Sequence, residues 1–189
     1  MYSDIVSFDD EKLILVDEND TVLGYKDKKE CHLGEGVLHR AFSIFLFNEK
    51  GELLLQQRSP EKMLWGGFWS NTVCSHPRKG ETTEIATARR LKEELGVSAD
   101  LEYIYKFVYT ARFGKIGSEN ENCHVFIGKL DGDVKPNPNE VADIKWIDSK
   151  KLTAELQNFP NFYTPWFKME WQKLSIEYID KLNNIGVLY

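Results

Sequence analysis

The sequence is poor in cysteine, short of positive charge and without a long hydrophobic run, and each shortage closes off a class of protein. Its three cysteines, Cys31, Cys74 and Cys123, are odd in number and irregular in spacing. That is not a disulfide framework, and it leads to the expectation of reduced thiols in a cytoplasmic protein. Lys and Arg number 24 against 30 Asp and Glu, a formal charge of −6, so neither a nucleic-acid nor an anionic-membrane partner is expected. No apolar run could span a bilayer, and the acidic stretch Met1–Asp10 lacks the apolar h-region of a signal peptide. There is no Gly-rich dinucleotide fingerprint, which argues against flavin chemistry. With no internal repeat and no low-complexity linker, one domain over residues 1–189 is expected. What the chain does have is 42% hydrophobic and 13% aromatic residues, enough for a packed core. A small anionic substrate stays open, provided that a metal ion or a few bases meet its charge locally.

Local patterns predict strands at Lys12–Val16 and Val22–Tyr25, joined by the turn-rich Asp17–Asp20, and a second hairpin from Arg40–Phe47 and Leu53–Gln57. Ser70–Val73 reads as a further strand leading to Cys74. From Thr82 to Leu95 the period becomes helical, with Ile85, Ala88, Leu91 and Leu95 on one face and Gly96 as the stop signal. Leu101–Tyr109 alternates, so Leu101, Tyr103, Tyr105, Phe107 and Tyr109 are expected to point one way. Glu121–Leu130 and Val141–Ile147 read as strands and Leu152–Leu156 as a short helix. Thr164-Pro165 opens a C-terminal helix to about Leu182, with Leu174, Tyr178 and Leu182 on one stripe. Strands with flanking helices give an α+β or mixed α/β layered domain. Residues 1 to about 30 form an N-terminal strand extension.

Of four histidines, His32 and His39 lie seven apart and His76 lies two beyond Cys74. Glu119 and Glu121, two apart at the start of a strand, share one side, about 7 Å apart along the chain. His124 faces the other way. Three imidazoles and two carboxylates would make a five-ligand site suited to Zn, Mn or Fe rather than Mg or Ca. A histidine is more often structural or exposed than a ligand, so spacing alone leaves both readings standing. Cys74 has the same two sides: a small buried hydrophobe, or a thiol whose pKa a neighbouring imidazole or metal lowers. Trp65, Trp69 and Trp166 are of a residue type more often found in a core than in a site.

Glu81, Arg89, Glu93, Glu94, Gly96 and Val97 match most of the Nudix box, G-x5-E-x7-R-E-U-x-E-E-x-G-U, in which U is aliphatic. Ser75 stands in place of its opening glycine and Arg90 in place of the first glutamate of its core. A cation there weakens hydrolase-type metal assembly and adds a phosphate-binding charge. The box therefore speaks for a diphosphate-binding fold more strongly than for a diphosphate hydrolase.

Lys28-x-x-x-His32, His39-Arg-Ala-Phe-Ser43, Trp69-Ser-Asn-Thr-Val-Cys74-Ser-His-Pro77, Arg89-Arg-Leu-Lys-Glu-Glu-Leu-Gly96, Glu119-Asn-Glu121 and Pro165-Trp166 run in order along nearly the whole chain. Together they resemble the type 1 isopentenyl-diphosphate isomerases. The resemblance implies a Nudix-like α+β fold, a mixed sheet layered between helices. It implies interconversion of isopentenyl and dimethylallyl diphosphate, with Cys74 and Glu121 as proton carriers and Tyr109 assisting Glu121. It also implies a Mn²⁺ or Zn²⁺ on His32, His39, His76, Glu119 and Glu121, and a Mg²⁺ held with the diphosphate through Glu94 and the Cys74 carbonyl. Lys28, Arg58, Lys62 and Arg90 would take the diphosphate, and Trp166 would face the carbocation. The partner is then a small-molecule substrate, and the protein a monomer or homodimer. The competing readings are a Nudix hydrolase of a nucleotide or other diphosphate, and a non-catalytic module that has kept the fold.

Overall fold

The computed structural model describes residues 4–187; residues 1–3 of the expected N-terminal extension, and residues 188–189, lie outside the described residues. The sheet is built around β3 (His39–Phe47). Ala41 and Phe45 face one apolar layer, and Phe42, Ile44 and Leu46 the other, all of them buried. A strand covered on both sides reads as a continuous apolar run, as this one does.

Along one edge β3 runs parallel to β8 (Gly117–Lys129), with His39 opposite Glu121. Along the other it is antiparallel to β6 (Val73–Ser75), with Ser43 opposite Cys74. β7 (Leu101–Phe113) extends the sheet beyond β8. The hairpin of β1 (Lys12–Val16) and β2 (Val22–Asp27) joins at Leu15–His39, and β4 (Leu53–Arg58) joins at Phe47–Leu53. β4 in turn pairs with β5 (Trp69–Ser70) and β9 (Val141–Ile147). A short helix, α1 (Lys28–His32), follows β2. α2 (Thr83–Leu95) covers the Phe42 face. α3 (Ser149–Asn158), α4 (Pro165–Glu177) and α5 (Ile179–Asn184) cover the other. The result is the expected α+β arrangement, a mixed sheet between helices. No helix among the described residues is long and apolar enough to cross a membrane.

Four local expectations are corrected. Ser70–Val73 is not one strand: pairing breaks at Asn71 and Thr72, whose side chains bond to neighbouring strand carbonyls. The buried face of α2 is Thr83, Ala86, Thr87, Arg90, Leu91, Glu94 and Leu95. Ile85 and Ala88 face solvent, because the helix buries an Arg–Glu pair where apolar spacing alone pointed elsewhere. The alternation along β7 does not persist, since the register with β8 shifts between Tyr103 and Tyr105. A bulge of this kind reverses the side-chain direction, so Tyr103 packs on His124 and Phe126 while Tyr105, Phe107 and Tyr109 stack on the opposite face. The C-terminal helix expected to run to Leu182 breaks at Tyr178, whose backbone leaves the helical region (φ −123°, ψ 26°) and whose ring stacks on Tyr105 at 5.0 Å.

Candidate active site

Four pieces of chain deliver the histidines and glutamates to one point. His32 ends α1, which is held against β8 by a bridge between Leu33 and Gly117. A Cβ at Gly117 would stand 2.1 Å from the His32 carbonyl oxygen, so this close approach requires glycine. His39 opens β3 directly opposite Glu121, and the two-residue period of β8 brings Glu119 to the same side. His76 follows β6. One ligand atom from each of His32, His39, His76, Glu119 and Glu121 lies within 4.8 Å of all the others.

The donor set fits a metal ion. His32 Nδ1 is 2.6 Å from the Lys28 carbonyl oxygen and His39 Nδ1 is 2.7 Å from that of Val37. Carbonyls only accept, so both rings carry the proton on Nδ1 and, when neutral, turn a bare Nε2 inward. His32 Nε2 lies 2.9 Å from Glu119 Oε2, yet Glu119 Oε2 and His39 Nε2 are buried with no hydrogen-bond partner. Converging lone pairs of this kind require a cation or protons between them. Without a metal the protons must serve. Burial opposes charge on both His32 and Glu119, but each overrides it for the other: the carboxylate raises the imidazole's pKa and the imidazolium lowers the carboxyl's. Burial, then the charge of Glu119, pushes Glu121 well above the usual carboxylate range. Burial brings His39 down to about 4 and holds His76 well below an ordinary histidine.

The cluster forms one wall of a cavity of about 380 Å³ that Cys74, Tyr109 and Trp166 also line, together with Lys28, Arg58, Lys62 and Arg90. Cys74 and Glu121 therefore reach it from strands on the two edges of β3. Tyr109 donates to Glu121 Oε2 at 2.6 Å, and His76 Nε2 is 2.9 Å from Oε1. Cys74 differs from the activated thiol that a nearby imidazole would give. Burial pushes it up to about 12, against the opposing pull of Arg58, so it is a neutral thiol. Arg58 donates to Cys74 Sγ at 3.4 Å and to the carbonyls of Trp65 and Leu64. Its guanidinium stands 5.2 Å from the centre of the Trp166 ring. Trp166 is fixed by an indole N–H bond to Ser70 Oγ (3.1 Å) and by the edge-on ring of Trp65.

The cations are less uniform than the sequence suggests. Lys28 pairs with Glu11 and Ser7. Arg90 is buried and held by Glu93, Glu94 and Glu140. Glu94 lies behind it, accepting from Arg90 at 2.6 Å and from Gln56 at 3.3 Å. Glu81 and Glu93 both bind Arg89, so these box carboxylates brace the turn before α2. The sequence reading missed Glu140, which pairs with both Lys62 and Arg90. Its place after Asn137-Pro138-Asn139 gives only a turn signal.

Residues 37–168 match the NUDIX domain family. A Photorhabdus laumondii protein named isopentenyl-diphosphate Delta-isomerase 1 is 43% identical over 174 residues, covering 91% of this chain and 99% of that one. The chain belongs to the isopentenyl-diphosphate Delta-isomerase family. An Aromatoleum aromaticum member of that name is 46% identical, covering 84% of this chain and 89% of its own length. The crystal structure of DR0079 from Deinococcus radiodurans superposes with a TM-score of 0.65 at 27% identity, over 79% of this chain and 90% of that one. A MutT protein from Methanosarcina mazei shares the fold at 21% identity, with a TM-score of 0.62, over 74% of this chain and 94% of that one. The Nudix-like fold expected from the sequence is therefore the observed one.

Proposed function

We propose that this chain interconverts isopentenyl diphosphate and dimethylallyl diphosphate in the cytoplasm, with Cys74 and Glu121 as its two proton carriers. An isolated alkene is a weak base. A proton must be placed on its terminal carbon to give a tertiary carbocation, and a different proton taken from the neighbouring methylene. Two acid–base groups reaching the substrate from different sides are needed. The observation that carries the reading is that one cavity holds a neutral thiol on β6 and a hydrogen-bonded carboxylate on β8, at opposite edges of β3. Neither group is set up as a covalent nucleophile: the thiol keeps its proton and the carboxylate is held by Tyr109 and His76.

Tyr109, whose hydroxyl is buried against Glu121, keeps its proton and donates a 2.6 Å hydrogen bond that supports proton transfer by Glu121. Trp166 offers an indole face to a cation, an attraction of about 2 kcal/mol when desolvated; Arg58 already sits against that ring. Lys28, Arg58, Lys62 and Arg90 supply the positive charge for the diphosphate. His32, His39, His76, Glu119 and Glu121 would hold a Mn²⁺ or Zn²⁺, and Glu94 with the Cys74 carbonyl a Mg²⁺ accompanying the diphosphate. Bound there, divalent ions supply fixed positive charge that orients Glu121 and neutralises phosphate. A hydrolase reading is disfavoured by Arg90, which puts a cation at the helix position where the box supplies a carboxylate and pairs with the box carboxylate Glu93.

Cys74→Ala and Glu121→Gln test the assignment. Each should abolish turnover almost completely while the far-ultraviolet circular dichroism stays that of the parent. Substantial turnover in either variant would remove these residues from the chemistry.

A further inference from the structure

Glu140 is a buried carboxylate at the edge of the cavity, and its place is set by backbone on three sides. Asn137, fully buried, takes the end of α2 through its backbone N–H to the Glu94 carbonyl (2.8 Å) and its side chain to that of Glu93. The backbone N–H of Glu140 then bonds back to Asn137, and its carbonyl accepts from Ser59, where β4 ends. Ser59 in turn accepts from the backbone of Lys62. The loop before β9 therefore fastens helix α2 to the segment after β4.

The Glu140 carboxylate repeats that junction in side chains. One oxygen, Oε2, accepts from Arg90 on α2 at 2.9 Å and from the ammonium of Lys62. Arg90 has other anchors in Glu93 and Glu94. Among the described residues Glu140 is the only ion-pair partner of Lys62. A lysine on a four-carbon stem is otherwise a mobile point charge.

We propose that Glu140 is a positioning residue for the diphosphate: it ties Lys62 to Arg90 so that the two cations stand together on one wall of the cavity. This rests on the reading above that Lys62 and Arg90 meet the diphosphate. One carboxylate shared by two cations fixes where their charge sits before the substrate arrives. A ligand then orders less of the protein on binding. The side-chain bonds of Glu140 go to Lys62 and Arg90 and not to Cys74 or Glu121, so its effect falls on diphosphate affinity and KM.

The test is a double-mutant cycle read by calorimetric titration of inorganic diphosphate with Mg²⁺ into the parent, Glu140→Gln, Lys62→Ala and the double variant, with KM for isopentenyl diphosphate alongside. Glu140→Gln should weaken diphosphate binding about tenfold and raise KM in parallel. In the Lys62→Ala background the same change should cost less than threefold, because groups acting as one unit are not additive. A merely structural Glu140 would lower the melting temperature while leaving affinity and KM unmoved, and that result overturns the proposal. So does unchanged or tighter binding in Glu140→Gln while Lys62→Ala still weakens it. If Lys62→Ala itself leaves diphosphate affinity intact, the failure lies in the reading of Lys62 as a diphosphate contact, and the proposal falls with it.

Discussion

Tyr109→Phe removes one oxygen from the site and almost nothing else. The ring is buried, stacks on Phe107 with centroids 5.3 Å apart, and lies 6.4 Å from Trp166. Phenylalanine keeps all of that packing. What disappears is the 2.6 Å hydrogen bond to Glu121 Oε2. Held by a divalent ion the Glu121 carboxylate would be ionised, and hydrogen bonds to a charged group are worth about 1.5–3 kcal/mol. At about 1.36 kcal/mol per tenfold in rate, kcat should fall by about 10- to 150-fold. Burial, then the Glu121 carboxylate, raises the Tyr109 pKa well above its ordinary value. The hydroxyl thus stays protonated throughout the working pH range, and the deficit of the variant should not depend on pH across neutrality. The assay is steady-state conversion of isopentenyl to dimethylallyl diphosphate, with a thermal melt to confirm an intact fold. A kcat within threefold of the parent, in a variant that melts normally, would refute Tyr109 as the partner of Glu121.

Two further outcomes follow from the same contacts. Gly117→Ala places a methyl group 2.1 Å from the His32 carbonyl and must part α1 from β8. Metal affinity measured by competition with a chelator should fall by about 10- to 100-fold, the usual loss when support for a ligating histidine is removed; unchanged affinity would show that the bridge does not set His32. Glu170 is wholly buried beside Cys123, and burial raises its pKa to about 7. A raised carboxyl binds its proton more tightly folded than unfolded, so its contribution is full below the unfolded value near 4.5 and is lost as pH climbs to about 7. The loss approaches about 3 kcal/mol at 1.36 kcal/mol per unit. Glu170→Gln should therefore gain stability by that order in urea melts at pH 8 and gain little at pH 4.5; an equal effect at both would contradict the shift.

Much of this was legible in the sequence, because the residues that carry the chemistry also carry rigid local geometry. The two-residue period alone put Glu119 and Glu121 on one side of β8, and the structure places them with the three histidines. Val141–Ile147 is the strand as read, and Gly96 ends α2 with φ +67°. What was hidden depended on distant partners. Apolar spacing assigned Ile85 and Ala88 to the core, since nothing local shows that Arg90 will be buried by Glu94 and Glu140. The bulge in β7 reverses an alternation that looked unbroken. The neutral state of Cys74 depends on burial, which the local sequence does not show, so a buried and an activated thiol both stayed open there. The role of Glu140 depends on a loop meeting two elements far away in the chain.

The central claim is that this site moves a double bond by moving protons, and leaves the diphosphate whole. Incubating the protein with isopentenyl diphosphate and Mg²⁺ in D₂O tests it most directly, with dimethylallyl diphosphate and free phosphate measured together, with and without a chelator. Deuterium should enter the dimethylallyl product, no phosphate should be released, and the chelator should stop the reaction. Phosphate release without any isomer would contradict the account.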